Sequence, residues 1–257
     1  MNYETLLVKK DERGVVSITL NRPEKRNALS AKMIDELTNF AASLTSGVRV
    51  TVIQGAGNLF CAGGDLEWMN AQIKADRSTR TAEARKLAYM LKALNELPVP
   101  LIAKVHGAAY GGGVGLACVC DYVVSNSNVK FGFTETRLGL IPSTIGPYVV
   151  EKMGQAKARE VFMSGKIFSE LDAKKLNIVS EISDDLDQSV EEHIIPYLKT
   201  APKAVGEAKA LVRSLGSTID DKVIEQTIQQ LADIWEGEEA RHGIESFLNK
   251  TKPRWSN

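Results

Sequence analysis

Short apolar runs alternate with segments of helical periodicity along the first part of the chain. The runs "LLVKK" and "VVSITLNRP" predict two strands joined by a turn at Gly14, and "VRVTVIQG", "VPLIAKVHG", "DYVVSN" and "VKFGF" predict four more. Ser30 is placed to cap a helix, because apolar residues recur at helical spacing after it. The stretch 65–97 is also helical, with a polar break near "KADRSTR". This alternation predicts an α/β protein whose helices cover its sheets.

Helical patterns dominate from about residue 144, and "LNIVSEI" is the last strand that the pattern predicts. No linker-like composition divides the chain, so we expect a core domain over residues 1–200 and a helical oligomerisation region over residues 201–257. Within the latter, "VIEQTIQQLADIW" carries a broad apolar face. Because a separate core is hard to build there, this face is predicted to lie in an interface between copies. The face comprises Val223, Ile224, Thr227, Ile228, Leu231 and Trp235.

Composition narrows the class of protein. The 257 residues include 32 acidic and 32 basic side chains, so no global charge favours nucleic acid or a membrane surface. No apolar run approaches the ~20 residues of a membrane span, and the polar start does not resemble a signal peptide. Cys61, Cys118 and Cys120 are odd in number and suit buried thiols better than a disulfide or a zinc site. We expect a cytoplasmic enzyme with no metal.

Glycines cluster at two places where a predicted strand gives way to a helix. In "YGGGVGLACVCD" they precede a short helix, and in "NLFCAGGDLEWM" Gly63 and Gly64 do the same. Amides at a helix start have no partner inside the helix, so they suit an anion or an oxygen that becomes anionic. Neither the dinucleotide fingerprint nor the P-loop is matched. Close packing of a helix on the sheet explains one such run equally well, but two runs together favour an oxyanion hole.

Glu135 is the candidate acid or base. It follows "FGF" and precedes Leu138 and Leu140, and apolar surroundings disfavour the charged form of a carboxyl group. A glutamate on a solvated helix face is the commoner situation, and the residues alone leave both interpretations open.

The segments "NRPEKRNALS", "FCAGGDL", "GAAYGGGVGLACVCD" and "FGFTETRLGLIP" resemble, in that order, those of the crotonase superfamily, the enoyl-CoA hydratases and isomerases. The resemblance covers nearly the whole chain. It implies a spiral of ββα units with a C-terminal helical trimerisation region, assembled as a homotrimer or a dimer of trimers. It also implies an acyl-CoA substrate, with no cofactor beyond the CoA that the substrate carries.

The resemblance also assigns roles to individual residues. It makes Gly64 and Gly112 the oxyanion donors through their N–H groups, and Glu135 a catalytic acid/base. His106, Asp65 and Asp121 are interpreted as structural. The positions matched to CoA and substrate contacts are Lys25, Arg26, Ala62, Gly63, Gly64, Gly112, Gly115, Phe247 and Lys250, the last two often serving a neighbouring subunit.

Gly115 departs from the family pattern, which has a second glutamate there in hydratases with two acids. We expect the bare position to leave room for a bulkier acyl group. A single glutamate suffices for hydration to one face of a double bond, and also for an isomerase. The sequence looks most like a subgroup acting on 3-methylglutaconyl-CoA in leucine degradation or, in the dehydrating direction, on hydroxymethylglutaryl thioesters. A distal carboxylate would need a cation, and the candidates are Arg80, Arg85, Lys86 and Arg137.

Hydratase is therefore the leading prediction, and isomerase is the alternative. A non-catalytic or RNA-binding homologue is less favoured, because Glu135 and both glycine runs are present. The cluster formed by "KADRSTR", Arg85 and Lys86 is the feature that keeps a nucleic-acid role under consideration.

Overall fold

A computed structural model describes residues 3–256. Strands β1 (Leu6–Lys10), β2 (Val15–Leu20), β3 (Val50–Gly55), β4 (Leu101–Val105), β6 (Tyr122–Ser125) and β9 (Glu181–Ile182) form one sheet in the order β1-β2-β3-β4-β6-β9. The first pair is antiparallel and the others are parallel. A second sheet has the order β5 (Ala108–Tyr110), β7 (Lys130–Gly132), β8 (Ile167–Ser169). The predicted α/β class is confirmed.

The helices of the first part are α1 (Ala31–Ala42), α2 (Leu66–Lys74), α3 (Arg77–Asn95) and α4 (Gly112–Cys118). The Ser30 side chain accepts a hydrogen bond from the N–H of Met33, as the sequence predicted for the cap of α1. The polar break at "KADRSTR" does divide the long helical stretch, because α2 ends at Lys74 and Asp76 caps α3. Strands β5 and β8, of three residues each, were missed by the sequence prediction.

Helices α5 (Gly146–Met153), α6 (Gln155–Phe162), α7 (Glu170–Lys175) and α8 (Leu186–Leu198) follow. The six-stranded sheet is covered on both faces. Val190 and Ile194 of α8 pack on one face, against Val50, Val52 and Ile102. Side chains of α1, α3, α4 and α5 join the larger core on the other face. Coverage of both faces agrees with the largely parallel pairing of the strands.

The chain ends in α9 (Pro202–Leu215), α10 (Asp221–Trp235) and α11 (Glu238–Leu248). The prediction that the apolar face of α10 lies between copies is corrected by its packing. Ile224 and Ile228 are buried against Ala84 and Ala88 of α3, within the same chain. Trp235 is buried in a further cluster with Met69, Leu140, Ala240 and Ile244. The α10 side chains thus complete the core, and a domain boundary at residue 200 remains a prediction.

Helix α9 is different, because none of its residues is buried. Its side chains Leu211, Val212 and Leu215 are 58%, 71% and 78% exposed. These three side chains form an apolar stripe on the surface of the C-terminal region. Within residues 3–256, no helix combines the length and the apolar character that a membrane crossing requires.

Candidate active site

The two glycine turns lie side by side. The segment before Gly63 runs along β5, where the N–H of Cys61 donates to Ala108 O (3.2 Å) and the N–H of Tyr110 donates to Cys61 O (3.0 Å). The two turns approach each other so closely that a Cβ added at Gly63 would lie 3.8 Å from the backbone nitrogen of Gly112. The structure therefore brings together the two turns that the sequence singled out.

Both predicted donors are free among the described residues. No hydrogen bond from the N–H of Gly64 or of Gly112 to another residue between 3 and 256 is found. Gly64 is exposed and Gly112 is half-buried, so an oxygen atom can approach them from outside. Gly112 is also the first residue of α4, where the helix dipole favours negative charge. Two such donors side by side are the arrangement of an oxyanion hole.

Gly63 and Gly111 have backbone conformations that favour glycine. Gly63 has φ +93° and Gly111 has φ +47°, a region that other residues adopt at a cost. Gly111 is also limited in space, because a Cβ there would lie 2.9 Å from Oε1 of Glu135. No role was predicted for Gly111 from the sequence, although it is the first of three consecutive glycines.

The Glu135 side chain lies against the start of α4. Glu135 opens a 3₁₀ turn, Glu135–Leu138, which follows β7 and packs against α11. Its Oε2 is buried and has no hydrogen-bond partner among the described residues. Burial raises the pKa of Glu135 to about 7, partly offset by a hydrogen bond from its own backbone N–H. A carboxyl group with this pKa exchanges protons readily at neutral pH, as a general acid/base must.

The chain matches the model of the enoyl-CoA hydratase/isomerase family over residues 10–257. It belongs to that family. The crotonase fold and the membership among enoyl-CoA hydratases and isomerases that the sequence predicted are thereby confirmed.

Individual relatives extend this finding along the whole chain. A probable enoyl-CoA hydratase of Bacillus subtilis is 30% identical, with 99% of each chain covered. The 2,3-dehydroadipyl-CoA hydratase of Escherichia coli is 31% identical, covering 96% of this chain and 97% of its own. The crystal structure of an enoyl-CoA hydratase from Shewanella pealeana superposes with a TM-score of 0.82 at 33% identity, over 99% of this chain and 97% of that one.

Four of the residues predicted to bind CoA are adjacent in this crotonase family member. The N–H of Ala62 donates to the carbonyl oxygen of Arg26 (3.0 Å), which places Lys25 and Arg26 next to the turn of Gly63. Lys25 Nζ lies 2.7 Å from Glu67 Oε1 and is exposed. The geometry is compatible with a CoA lying across this segment, and the individual contacts stay predictions.

Phe247 and Lys250 do not join this group. Phe247, 51% exposed, lines an open groove of about 480 Å³ together with Arg137 and Met163. The lining of that groove includes neither glycine turn nor Glu135. Lys250 follows α11 in a left-handed backbone conformation and is exposed. A role in CoA binding for these two residues stays a prediction that concerns a neighbouring copy.

The expectation of open space at Gly115 is wrong. Gly115 is buried in α4, and a Cβ added to it would lie 2.4 Å from Cγ2 of Ile145 and 2.9 Å from its Cβ. The side chain of Ile145 therefore fills the volume that the missing glutamate was expected to vacate for the substrate. The sequence could not show this, because a glycine is compatible with an empty volume and with a closely packed neighbour.

Three of the four proposed cations are engaged elsewhere. Arg80 donates to the carbonyl groups of Gln72 and Ala75, Arg85 pairs with Glu225, and Lys86 pairs with Glu83. Of the four, only Arg137 has a side chain without a hydrogen-bonded or ion-pair partner among residues 3–256. Within the basic cluster considered for nucleic acid, Arg77 likewise pairs with Asp233 and Glu236.

The residues interpreted as structural have structural partners. Asp65 caps α2 and lies 2.8 Å from Arg22, an anchor that the sequence analysis missed. Asp121 accepts from the N–H of Leu101 and pairs with Lys209, and His106 contacts the carbonyl of Gly57. All three cysteines are free and buried, and burial raises the pKa of Cys61 and Cys118 to about 12.

Proposed function

We propose that the protein adds water to the α,β double bond of an enoyl-CoA thioester, with Glu135 as the single acid/base. The thioester oxygen would accept hydrogen bonds from the N–H groups of Gly64 and Gly112. One observation carries the proposal: a carboxyl group with a pKa of about 7 lies beside two neighbouring helix starts, whose N–H donors have no hydrogen-bond partner among the described residues.

The proposed reaction consumes one water molecule, whose oxygen and proton are both added to the substrate. Ionised Glu135 takes a proton from water as the water oxygen bonds to the β-carbon. The electron pair of the double bond moves onto the thioester, whose oxygen becomes an enolate held by the two N–H groups. Glu135 then gives its proton to the α-carbon and returns to the carboxylate. Each oxyanion donor contributes roughly 3–4 kcal/mol to such a step, and general acid/base catalysis contributes about 10²–10⁴-fold.

For the acyl group, we propose a chain that ends in a second carboxylate, with 3-methylglutaconyl-CoA as the first to test. The resemblance of the sequence to the methylglutaconyl subgroup supports this. A relative that is a 2,3-dehydroadipyl-CoA hydratase also supports it. The volume at Gly115 does not support such an acyl group, because Ile145 occupies it.

Isomerisation of an enoyl-CoA is the second candidate. One base that moves a proton between the α- and γ-carbons is enough for it, and Glu135 has a pKa suited to both directions of transfer. The oxyanion donors would serve the same enolate.

Product analysis separates the two reactions. The purified protein is incubated separately with crotonyl-CoA, 3-methylglutaconyl-CoA and a 3-enoyl-CoA. The products are separated by chromatography and identified by mass spectrometry. We expect the first two to gain the mass of one water, with 3-methylglutaconyl-CoA reacting faster. Conversion of the 3-enoyl-CoA to its 2-enoyl isomer, without hydration of crotonyl-CoA, would contradict the hydratase proposal.

A further inference from the structure

Gly115 lies in a part of the structure that leaves no room for a side chain. It is fully buried in the middle of α4, where glycine weakens a helix relative to alanine. A side chain is excluded at position 115 because an added Cβ would lie 2.4 Å from Ile145 Cγ2. Its φ is not in the left-handed region, so space rather than backbone conformation requires the glycine.

Ile145 is not free to withdraw from this contact. It is 2% exposed and immediately precedes α5, where its carbonyl accepts from the N–H of Val149 (3.1 Å). The adjoining loop is held to α10 by a hydrogen bond from the Ser143 hydroxyl to the carbonyl of Thr227. Ile145 is also branched at Cβ, which restricts its χ1 rotamers. A side chain at position 115 and an isoleucine at position 145 therefore exclude each other.

The contact lies close to the catalytic group. The N–H of Gly115 donates to the carbonyl of Gly111 (3.1 Å), and Gly111 is the residue against which Glu135 packs. Four residues of helix correspond to a rise of about 6 Å. Ile145 thus contacts α4 about one turn from Glu135, on the helix that also supplies the N–H of Gly112.

We propose that Gly115 and Ile145 are a compensating pair that restricts this active site to one acid/base group. Ile145 takes the volume that an acidic side chain at position 115 would need, so Glu135 is the sole proton carrier beside the glycine turns. Ile145 is a positioning residue in this account, because it acts through α4. The inference rests on the function proposed above, and it starts from Gly115, the position where the sequence lacks the second glutamate of the family pattern.

A thermal-unfolding cycle tests the steric half of the proposal. We expect Gly115→Ala to lower the melting temperature by about 3 °C or more, because overpacking a core is destabilising. Gly146→Ala is the matched control, since a Cβ there meets nothing within 4 Å. In the Ile145→Gly background, Gly115→Ala should cause no further loss. Additive losses in the double variant would overturn the pairing.

A pH profile tests the catalytic half. Gly115→Glu alone should lower kcat/KM on crotonyl-CoA at least about tenfold, through displacement of α4. Adding Ile145→Gly should recover most of that loss and add a second ionisation to the pH dependence of kcat/KM. A double variant with the single ionisation of the wild type, or with no recovery, would contradict the proposal. If the wild-type protein converted no CoA thioester, the function would fail, whereas the unfolding cycle would still decide the pairing.

Discussion

At the scale of single residues, Glu135 combines catalytic use with a stability cost. Its folded-state pKa of about 7 lies above the ordinary value of 4.5, because burial disfavours the charged form. The folded protein therefore binds a proton more tightly than the unfolded chain does. Stability is highest at low pH by this contribution, falls as the pH rises from about 4.5 to 7, and stays reduced above 7.

Glu135→Gln should therefore stabilise the protein, and more so at high pH. We expect the gain in the free energy of unfolding to be about 2–3 kcal/mol larger at pH 8 than at pH 5. Chemical denaturation at both values measures it. Glu36→Gln is the control, for which the opposite effect is expected. Burial raises the pKa of Glu36, but hydrogen bonds from the N–H of Glu4 and from Thr5 outweigh burial, so the pKa is lowered. Replacing Glu36 by glutamine should therefore destabilise the protein at pH 8. Equal gains for Glu135→Gln at both pH values would contradict the account.

The N–H of Gly112 can be removed without breaking the helix. Proline is tolerated at the first position of a helix, and Gly112 begins α4. Gly112→Pro should lower kcat by about 10²–10³-fold, whereas Gly112→Ala keeps the N–H and should lose much less. The added Cβ of either variant meets only the end of the Leu29 side chain. Steady-state kinetics of the two folded variants measures the difference in kcat. Similar activity of Gly112→Pro and Gly112→Ala would exclude the N–H of Gly112 as an oxyanion donor.

At the scale of secondary-structure elements, local patterns predicted most of the strands and helices. The cap at Ser30 and the break before Asp76 were correct, because both depend on neighbouring residues. Strands β5 and β8 were missed because a stretch of three residues is too short to show strand periodicity, and both are defined by pairing with residues distant in the chain. In the site, the sequence identified Glu135 and both glycine turns. It could not tell what faces Gly115, since Ile145 comes from another element.

Helix α10 shows the same limit. Its apolar face was predicted correctly, but the partner is α3 of the same chain. Ile228→Ala should therefore destabilise the protein by about 2–4 kcal/mol without changing its oligomeric state. Gln230→Ala, on the exposed side of the same helix, is the control and should have little effect. Thermal unfolding measures the stability, and light scattering measures the oligomeric state. If Ile228→Ala dissociated an oligomer, the apolar face of α10 would lie in an interface between copies after all.

At the scale of the whole molecule, α9 is the surface that an assembly would cover. We expect a homo-oligomer with threefold symmetry, in which the stripe of Leu211, Val212 and Leu215 is buried. Leu215→Asp should shift the mass measured by light scattering towards that of the monomer. Leu171→Asp, at an exposed leucine of α7, should not. A wild-type protein that is monomeric at micromolar concentration would contradict the expected assembly.

The role of Glu135 is tested by the pH dependence of kcat/KM for hydration of crotonyl-CoA, measured in the wild type and in Glu135→Gln. Hydration begins with Glu135 ionised, so wild-type kcat/KM should rise with pH through a single ionisation near pH 7 and then level off. Glu135→Gln should be at least about a hundredfold slower and should lack that ionisation. A variant with activity within threefold of the wild type, or with the same ionisation, would show that another group moves the proton.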